Sequence, residues 1–261
     1  MEDVLNRNIK EVLKEFPALA QVLSEFNIGC ISCSMGSCLL RDIVEIHNLA
    51  DAQEIALMGR IGEVVFPGQG ISLPRIQRKT KQRPNEVPLS PPLKELVDEH
   101  TVIKRLIALM PEILRTVDIE NPSGRKTINN SIDFIRNFAD AFHHAKEENI
   151  LFGYFDQGAE IIASFVKEHE LGRSYVRTAV DGLSSNDIKK VGENLTAYGA
   201  LLSEHIKKED EILYPWMNRT LTDNQVGMLF SKFADVNREY RIVSVQSIAM
   251  VTVLENQYGH I

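Results

Sequence analysis

Cysteine is scarce in this chain of 261 residues, and its three copies, Cys30, Cys33 and Cys38, crowd into one loop. An odd, clustered set is not the disulfide framework of a secreted domain. Positive charge is short as well. The 29 basic and 36 acidic side chains leave a net charge of −7, whereas a general nucleic-acid binder would be basic. No apolar run approaches the roughly 20 residues that span a bilayer. The opening Met1-Glu2-Asp3 lacks the basic and then apolar character of a secretory signal. The expected location is therefore the cytoplasm, with neither membrane nor nucleic acid as partner. Alternating strand-like patterning is missing too, so the chain predicts an all-α fold. What is present, 44% apolar and 25% charged residues, suffices for one large helical bundle and one small domain.

Residues 1–66 predict the small helical domain. Ile9, Val12, Leu13 and Phe16 recur at helical spacing, and Pro17 opens a second segment carrying Leu19, Val22, Leu23 and Phe26. Asn27 and Gly29 close it. Beyond the cysteines the period resumes through Leu39, Leu40, Ile43, Val44 and Ile46, with a last helix expected over 50–65. Residues 67–90, rich in proline, read as a linker or surface strap. Their Arg75, Arg78, Lys79, Lys81 and Arg83 fit a solvated charge run or an anionic contact. Ser90-Pro91-Pro92 predicts a helix start, with serine as cap and proline in the first turn. Helices over about 91–117, 126–152, 157–182 and 185–214 then make residues 91–216 an up-down-up-down four-helix bundle. Residues 217–261 add an amphipathic helix at about 222–240. Their apolar tail, Ile242 to Leu254, fits a strap, a helix or a partner contact equally well.

Two phrases in the bundle carry the chemistry: HHAKEE at 143–148 and HIKKED at 205–210. Each sets a histidine four residues before a glutamate, His143 with Glu147 and His205 with Glu209. That spacing stacks the two side chains on one helical face, about 6 Å apart along the axis. An imidazole above a carboxylate can hold a metal ion, and two such helices facing each other can hold two. His100 and His169 supply a histidine on each remaining helix, and Glu147 and Glu209 are placed to bridge a pair of ions. Imidazole with carboxylate suits iron, zinc or manganese, and a bundle without cysteine argues against a structural zinc knot.

Residues 93–215 resemble a hemerythrin-type (HHE cation-binding) domain. The family pattern of histidine, HxxxE, histidine, HxxxE on successive helices is met by His100, His143-Glu147, His169 and His205-Glu209. The phrases FADAFHHAKEENILF, KEHELGRSYVR and HIKKEDEILYPW are similar to the family's own. The resemblance implies a non-haem di-iron centre, two oxo- or hydroxo-bridged irons held by five histidines and two bridging carboxylates. Only four histidines match, because none lies one turn from His169 or late in the first helix. His144 is the substitute that the resemblance suggests. It lies about 100° around an α-helix from His143, so it reaches a second metal only if that helix faces the centre squarely. Otherwise Glu148, Asp118 or solvent takes the position. An open coordination place would accept O2, NO or peroxide. Phe138, Phe142, Phe152 and Trp216 read either as its apolar wall or as plain core packing.

The amino-terminal region, with IGCISCSMGSC, resembles the small helical domains that precede hemerythrin domains in the iron-centre repair family. Thiols this close could ligate zinc or an iron–sulfur cluster, form a redox disulfide, or have no chemical task. Three thiolates are one short of a usual cluster set, which His47, an exchangeable ligand or a second subunit in a homodimer would complete. Cys38 is expected in the first turn of the next helix, where the dipole would lower its pKa. The leading expectation is a di-iron protein that binds a diatomic ligand under oxidative or nitrosative stress, its thiols relaying electrons with a redox partner. The alternative is an iron donor that repairs damaged clusters in an apo iron–sulfur protein. No pattern identifies a substrate pocket or proton donor that would make it an enzyme.

Overall fold

A computed structural model of the chain describes residues 1–26, 28, 38–69, 76, 88–156 and 159–259. The architecture is all-α. Among the described residues the one pairing of strand type is an isolated bridge between Asn8 and Leu39. Two compact units are present. The first gathers Met1–Pro88, Gly158–Ser164 and Ile212–Thr220; the second gathers Leu89–Gln157, Phe165–Glu211 and Leu221–Ile261.

Short helices make the first unit: α1 (Glu2–Leu5), α2 (Ile9–Glu15), α3 (Leu19–Glu25), a 3-10 turn at Leu40–Asp42, α4 (Ile43–Ile46) and α5 (Asp51–Val65). Helices as short as α1 to α4 are marginal in isolation. A shared core that buries Ile9, Leu19, Leu23, Ile43, Leu57 and Ile61 holds them. The Asn8 side chain caps α2 by accepting from the Lys10 amide at 2.9 Å. The Ile9 amide donates to the Cys38 carbonyl at 2.9 Å and the Leu40 amide to the Arg7 carbonyl at 3.0 Å. Cys38 therefore sits in the bridged stretch ahead of the 3-10 turn, not in the first helical turn that the sequence predicts. Cys30 and Cys33 lie outside the described residues, as do Arg75, Arg78, Lys79, Lys81 and Arg83. At Ile76 the strap touches its own unit, the amide donating to the Glu54 carboxylate at 3.1 Å.

The remaining helices are α6 (Pro91–Thr116), α7 (Pro122–Phe134), α8 (Glu160–Ser184), α9 (Ile188–Lys208), α10 (Tyr214–Thr220), which belongs to the first unit, α11 (Asp223–Glu239) and α12 (Arg241–Tyr258). Ser90 takes the N-cap position of α6, but its side chain makes no capping bond, so the start rests on Pro91 and Pro92. Past Phe134, α7 runs on as π-helix over Ile135–His144 and again over Glu147–Leu151, and α9 passes into a π segment at Glu209–Leu213. The sequence predicts an uninterrupted α-helix across 126–152. A π turn closes i to i+5 and takes more residues than an α turn, so neighbouring side chains splay less.

The apolar tail is helical. Val251 and Leu254 of α12 join the core of the second unit with Ile103, Leu106, Phe138 and Leu195. Arg105 on α6 fixes α12 by donating to both Glu255 oxygens, at 2.8 and 2.7 Å, and to Thr252 at 2.9 Å. Among the described residues no helix is long and apolar enough to cross a membrane.

Candidate metal centre

The second unit gathers seven buried ligand-type side chains into two groups. His144, Glu147, His169 and His205 form one, and His100, His143 and Glu209 the other, with the ligand atoms of each group within 4.8 Å of one another. All seven residues are at most 5% exposed. His100 comes from α6, His143, His144 and Glu147 from the helix containing the π stretches Ile135–His144 and Glu147–Leu151, His169 from α8, and His205 and Glu209 from the end of α9. Reduced splay along Ile135–His144 explains how adjacent residues serve one centre. His144 stacks on His169 with ring centroids 4.0 Å apart.

The histidines face each other in pairs. His100 Nε2 lies 2.9 Å from His143 Nε2, and His169 Nε2 lies 2.9 Å from His205 Nε2. The opposite nitrogen of each ring is held by a carboxylate. His100 Nδ1 meets Asp210 at 2.7 Å and His143 Nδ1 meets Glu99 at 2.9 Å. His169 Nδ1 meets Glu148 at 2.6 Å and His205 Nδ1 meets Glu168 at 2.8 Å. A carboxylate at Nδ1 keeps the proton there and turns the Nε2 lone pair inward, the usual arrangement behind a metal-bound imidazole. Two inward lone pairs cannot stand 2.9 Å apart without a proton or a cation between them.

Both glutamates reach across the pairs. Glu209 has Oε2 at 3.2 Å from His100 Nε2 and Oε1 at 3.0 Å from His205 Nε2. Glu147 Oε2 is 3.8 Å from His143 Nε2 and 3.6 Å from His169 Nε2. Neither Glu209 oxygen receives a hydrogen bond despite full burial, the nearby ring nitrogens lying off the donating direction. Leaving a buried carboxylate so is costly unless a cation meets it. Two facing imidazole pairs, a spanning carboxylate that lacks donors and outer carboxylates at all four of the paired rings' Nδ1 atoms form a donor set that fits metal cations.

Residues 92–217 match the family model described as Hemerythrin HHE cation binding domain. This stretch is a hemerythrin HHE cation-binding domain. Uncharacterized proteins of Mycobacterium bovis and of two strains of Mycobacterium tuberculosis are each 25% identical over 230 residues, covering 84% of this chain and 87% of theirs. That similarity extends past the hemerythrin domain. No solved structure matches the chain.

Cations back the carboxylates around the hemerythrin centre. Lys104 donates to Asp210 at 2.6 Å, and Arg173 to Glu148 at 2.7 Å and to Asp140 at 2.9 Å. Lys146, fully buried, donates to Glu95 at 2.6 Å and to Glu99 at 2.5 Å, with its ammonium 3.9 Å from the Phe142 ring centroid. Lys208 pairs with Glu168. The resulting potentials are uneven. Burial pushes the histidines' charged forms down, and for His143, His144 and His169 it prevails. At His205 burial is outweighed by Glu209 and Glu168, which raise it to about 9; at His100 Asp210 and Glu209 prevail in the same way. Burial lifts Glu99 to about 7 even beside Lys146, whereas His205 and Lys208 overcome burial at Glu168 and hold it low.

All seven histidine and glutamate candidates thus converge, His144 included. Glu148 meets His169 Nδ1 and lies in neither group. Asp118 belongs to the turn after α6, where its side chain accepts from the Glu120 amide at 2.9 Å, and it takes no part in either group. Phe138, Phe142 and Phe152 are buried core residues, the last stacked toward His169 at 6.4 Å; Trp216 belongs to the first unit. The sequence reading missed Glu99, Glu168, Asp210, Asp140 and the four cations. Its available signal was adjacency: Glu99 and Glu168 immediately precede His100 and His169, and Glu148 and Asp210 immediately follow Glu147 and Glu209.

Proposed function

We propose that the hemerythrin domain holds two iron ions and binds a small diatomic ligand, O2 or NO, in a cytoplasmic response to oxidative or nitrosative stress. The observation that carries this reading is the pair of facing Nε2 couples spanned by Glu209, a donor set built for two cations. His100 and His143 would hold one ion, His144, His169 and His205 the other, with Glu147 and Glu209 shared. Bound iron would supply reversible binding of, or electron transfer to, the diatomic ligand. The chain's part is to orient the imidazoles through Asp210, Glu99, Glu148 and Glu168, to hold a proton at Nδ1 so that Nε2 faces the site, and to exclude bulk water by burial. One group contains two histidines and the other three, which favours an open coordination place on the His100 side. Cys30, Cys33 and Cys38 would communicate redox state to a partner, through thiol exchange or a bound cluster or zinc.

The test is metal content and Mössbauer spectra of protein purified without oxygen, followed by rapid mixing with O2 and with NO. Two irons per chain and a new absorption band with either gas are expected. One zinc, or two irons silent to both gases, would overturn the diatomic reading. Iron that passes readily to an apo iron–sulfur protein would favour the repair role instead.

A further inference from the structure

A cavity of about 190 Å³ lies among the π segment Ile135–His144, α8 and α9 and reaches His144, His169 and His205. A diatomic molecule needs far less room. One water takes about 10–15 Å³ by the same measure, and an apolar cavity of roughly 150 Å³ holds benzene. Its wall includes the buried apolar side chains Ile135, Val176 and Leu202. Gly172 on α8 lines the space, and a Cβ there would reach ordinary contact with the Tyr198 ring at 3.5 Å and with Leu201 at 3.9 Å, so a larger side chain would fill it.

Charge on the wall is of one effective sign. Asp140 and Glu168 line the cavity, but Asp140 is engaged by Arg173 and Glu168 by Lys208 and His205. Arg136 and Arg177 also line it, are exposed, and make no ion pair among the described residues. Tyr198 adds a donor without a partner. Its side chain is 4% exposed and its hydroxyl makes no hydrogen bond, although burying an unpaired hydroxyl costs stability. An apolar chamber with free cations at its exposed end and an unused donor on its wall suits a molecule larger than a gas.

We propose that this cavity binds a small organic carboxylate, its apolar body against Ile135, Val176 and Leu202 and its anionic group toward Arg136 and Arg177. The site goes beyond the diatomic reading and does not require the metal to be iron. It makes the chamber beside the three-histidine group a place for an organic substrate or effector.

Calorimetric titration of the full-length protein as purified, with benzoate, octanoate, acetate and methyl benzoate, tests it. Benzoate or octanoate should saturate with a dissociation constant of about 1 mM or tighter. Acetate, able to meet a metal but lacking the apolar body, and methyl benzoate, lacking the charge, should each bind at least about tenfold more weakly. Gly172→Leu from α8 and Leu201→Phe from α9 each fill the chamber and should weaken benzoate about tenfold or more. If Gly172→Leu fails to fold, Leu201→Phe decides. Arg177→Gln should cost about fivefold. Tyr198→Phe should melt at an equal or higher temperature yet bind more weakly, a combination that a purely structural tyrosine would not give. No saturation by either long acid, methyl benzoate binding as well as benzoate, or unchanged affinity in a folded cavity-filling variant would overturn the proposal. Iron stoichiometry is a separate readout, so failure here leaves the di-iron reading standing, and the reverse also holds.

Discussion

Glu99-His100 with His143, Lys146, Glu147 and Glu148 form one half of the centre. Glu168-His169 with His205, Lys208, Glu209 and Asp210 form the other. In each half the glutamate beside one histidine holds the Nδ1 of the next helix's histidine, and a lysine three residues beyond that second histidine pairs with the same glutamate. The outer cations correspond as well, Lys104 and Arg173 each standing four residues after the first histidine of its half. The halves part company at the residue after the HxxxE histidine: His144 in one, buried Ile206 in the other. They differ again at the lysine, sealed at Lys146 but 19% exposed at Lys208. The shared plan aims four imidazoles; one departure decides which group gains a fifth.

Glu209→Ala removes the carboxylate nearest both Nε2 couples and should have the largest effect. Metal content measured by atomic emission should fall from two per chain toward none. The comparison can then be broken at its one asymmetric ligand. His144→Ile makes the halves alike and should weaken one of the two ions at least about tenfold in chelator competition, leaving the other in place. Ile206→His makes them alike in the opposite sense. It should retain both ions and abolish the optical response to NO if, as proposed, a coordination place stands open on the His100 side for the added imidazole to take.

The lysines sharpen the contrast through stability. Lys146→Met strands Glu99 inside the fold and should cost about 3 kcal/mol in denaturant unfolding; Lys208→Met, nearer solvent, should cost about 1 kcal/mol. Outside both halves, burial and the Arg219 charge hold His47 down to about 4. The stability this gives the neutral ring is full above its ordinary 6.5 and is lost as pH falls toward 4. Lowering the pH across that window should therefore loosen the first unit by up to about 2 kcal/mol, a loss that His47→Gln should abolish when unfolding is followed by hydrogen exchange.

The candidate ligands were legible because helical geometry fixes which residues share a face, so His143-Glu147 and His205-Glu209 declare themselves from spacing alone. Their outer partners were not, because Glu99 reaches His143 and Glu168 reaches His205 only through the way separate helices cross. His144 was undecidable on α-helical assumptions and is explained by the π segment, which no residue propensity announces. The tail was ambiguous for a related reason. α12 leaves Ile242, Val245 and Val253 more than half exposed, so its apolar residues do not gather on one face as those of α6 do. Cys38 was misplaced because the pairing of Arg7–Ile9 with Cys38–Leu40, remote in sequence, overrides the local helical signal.

The π segments also make the centre sensitive to how its helices are wound. Each widened turn accommodates residues that an α-helix would place elsewhere around its axis, and all three flank or contain ligands. Restoring ordinary α winding over Ile135–Phe142 at unchanged length would turn His143, His144 and Glu147 together relative to Phe134, because each residue then advances about 100° instead of the smaller π step. Three ligands would leave the interior at once, though none had been substituted. Winding, as much as identity, is under constraint along this helix, and a variant that kept every histidine but straightened these π turns at unchanged length would lose the site.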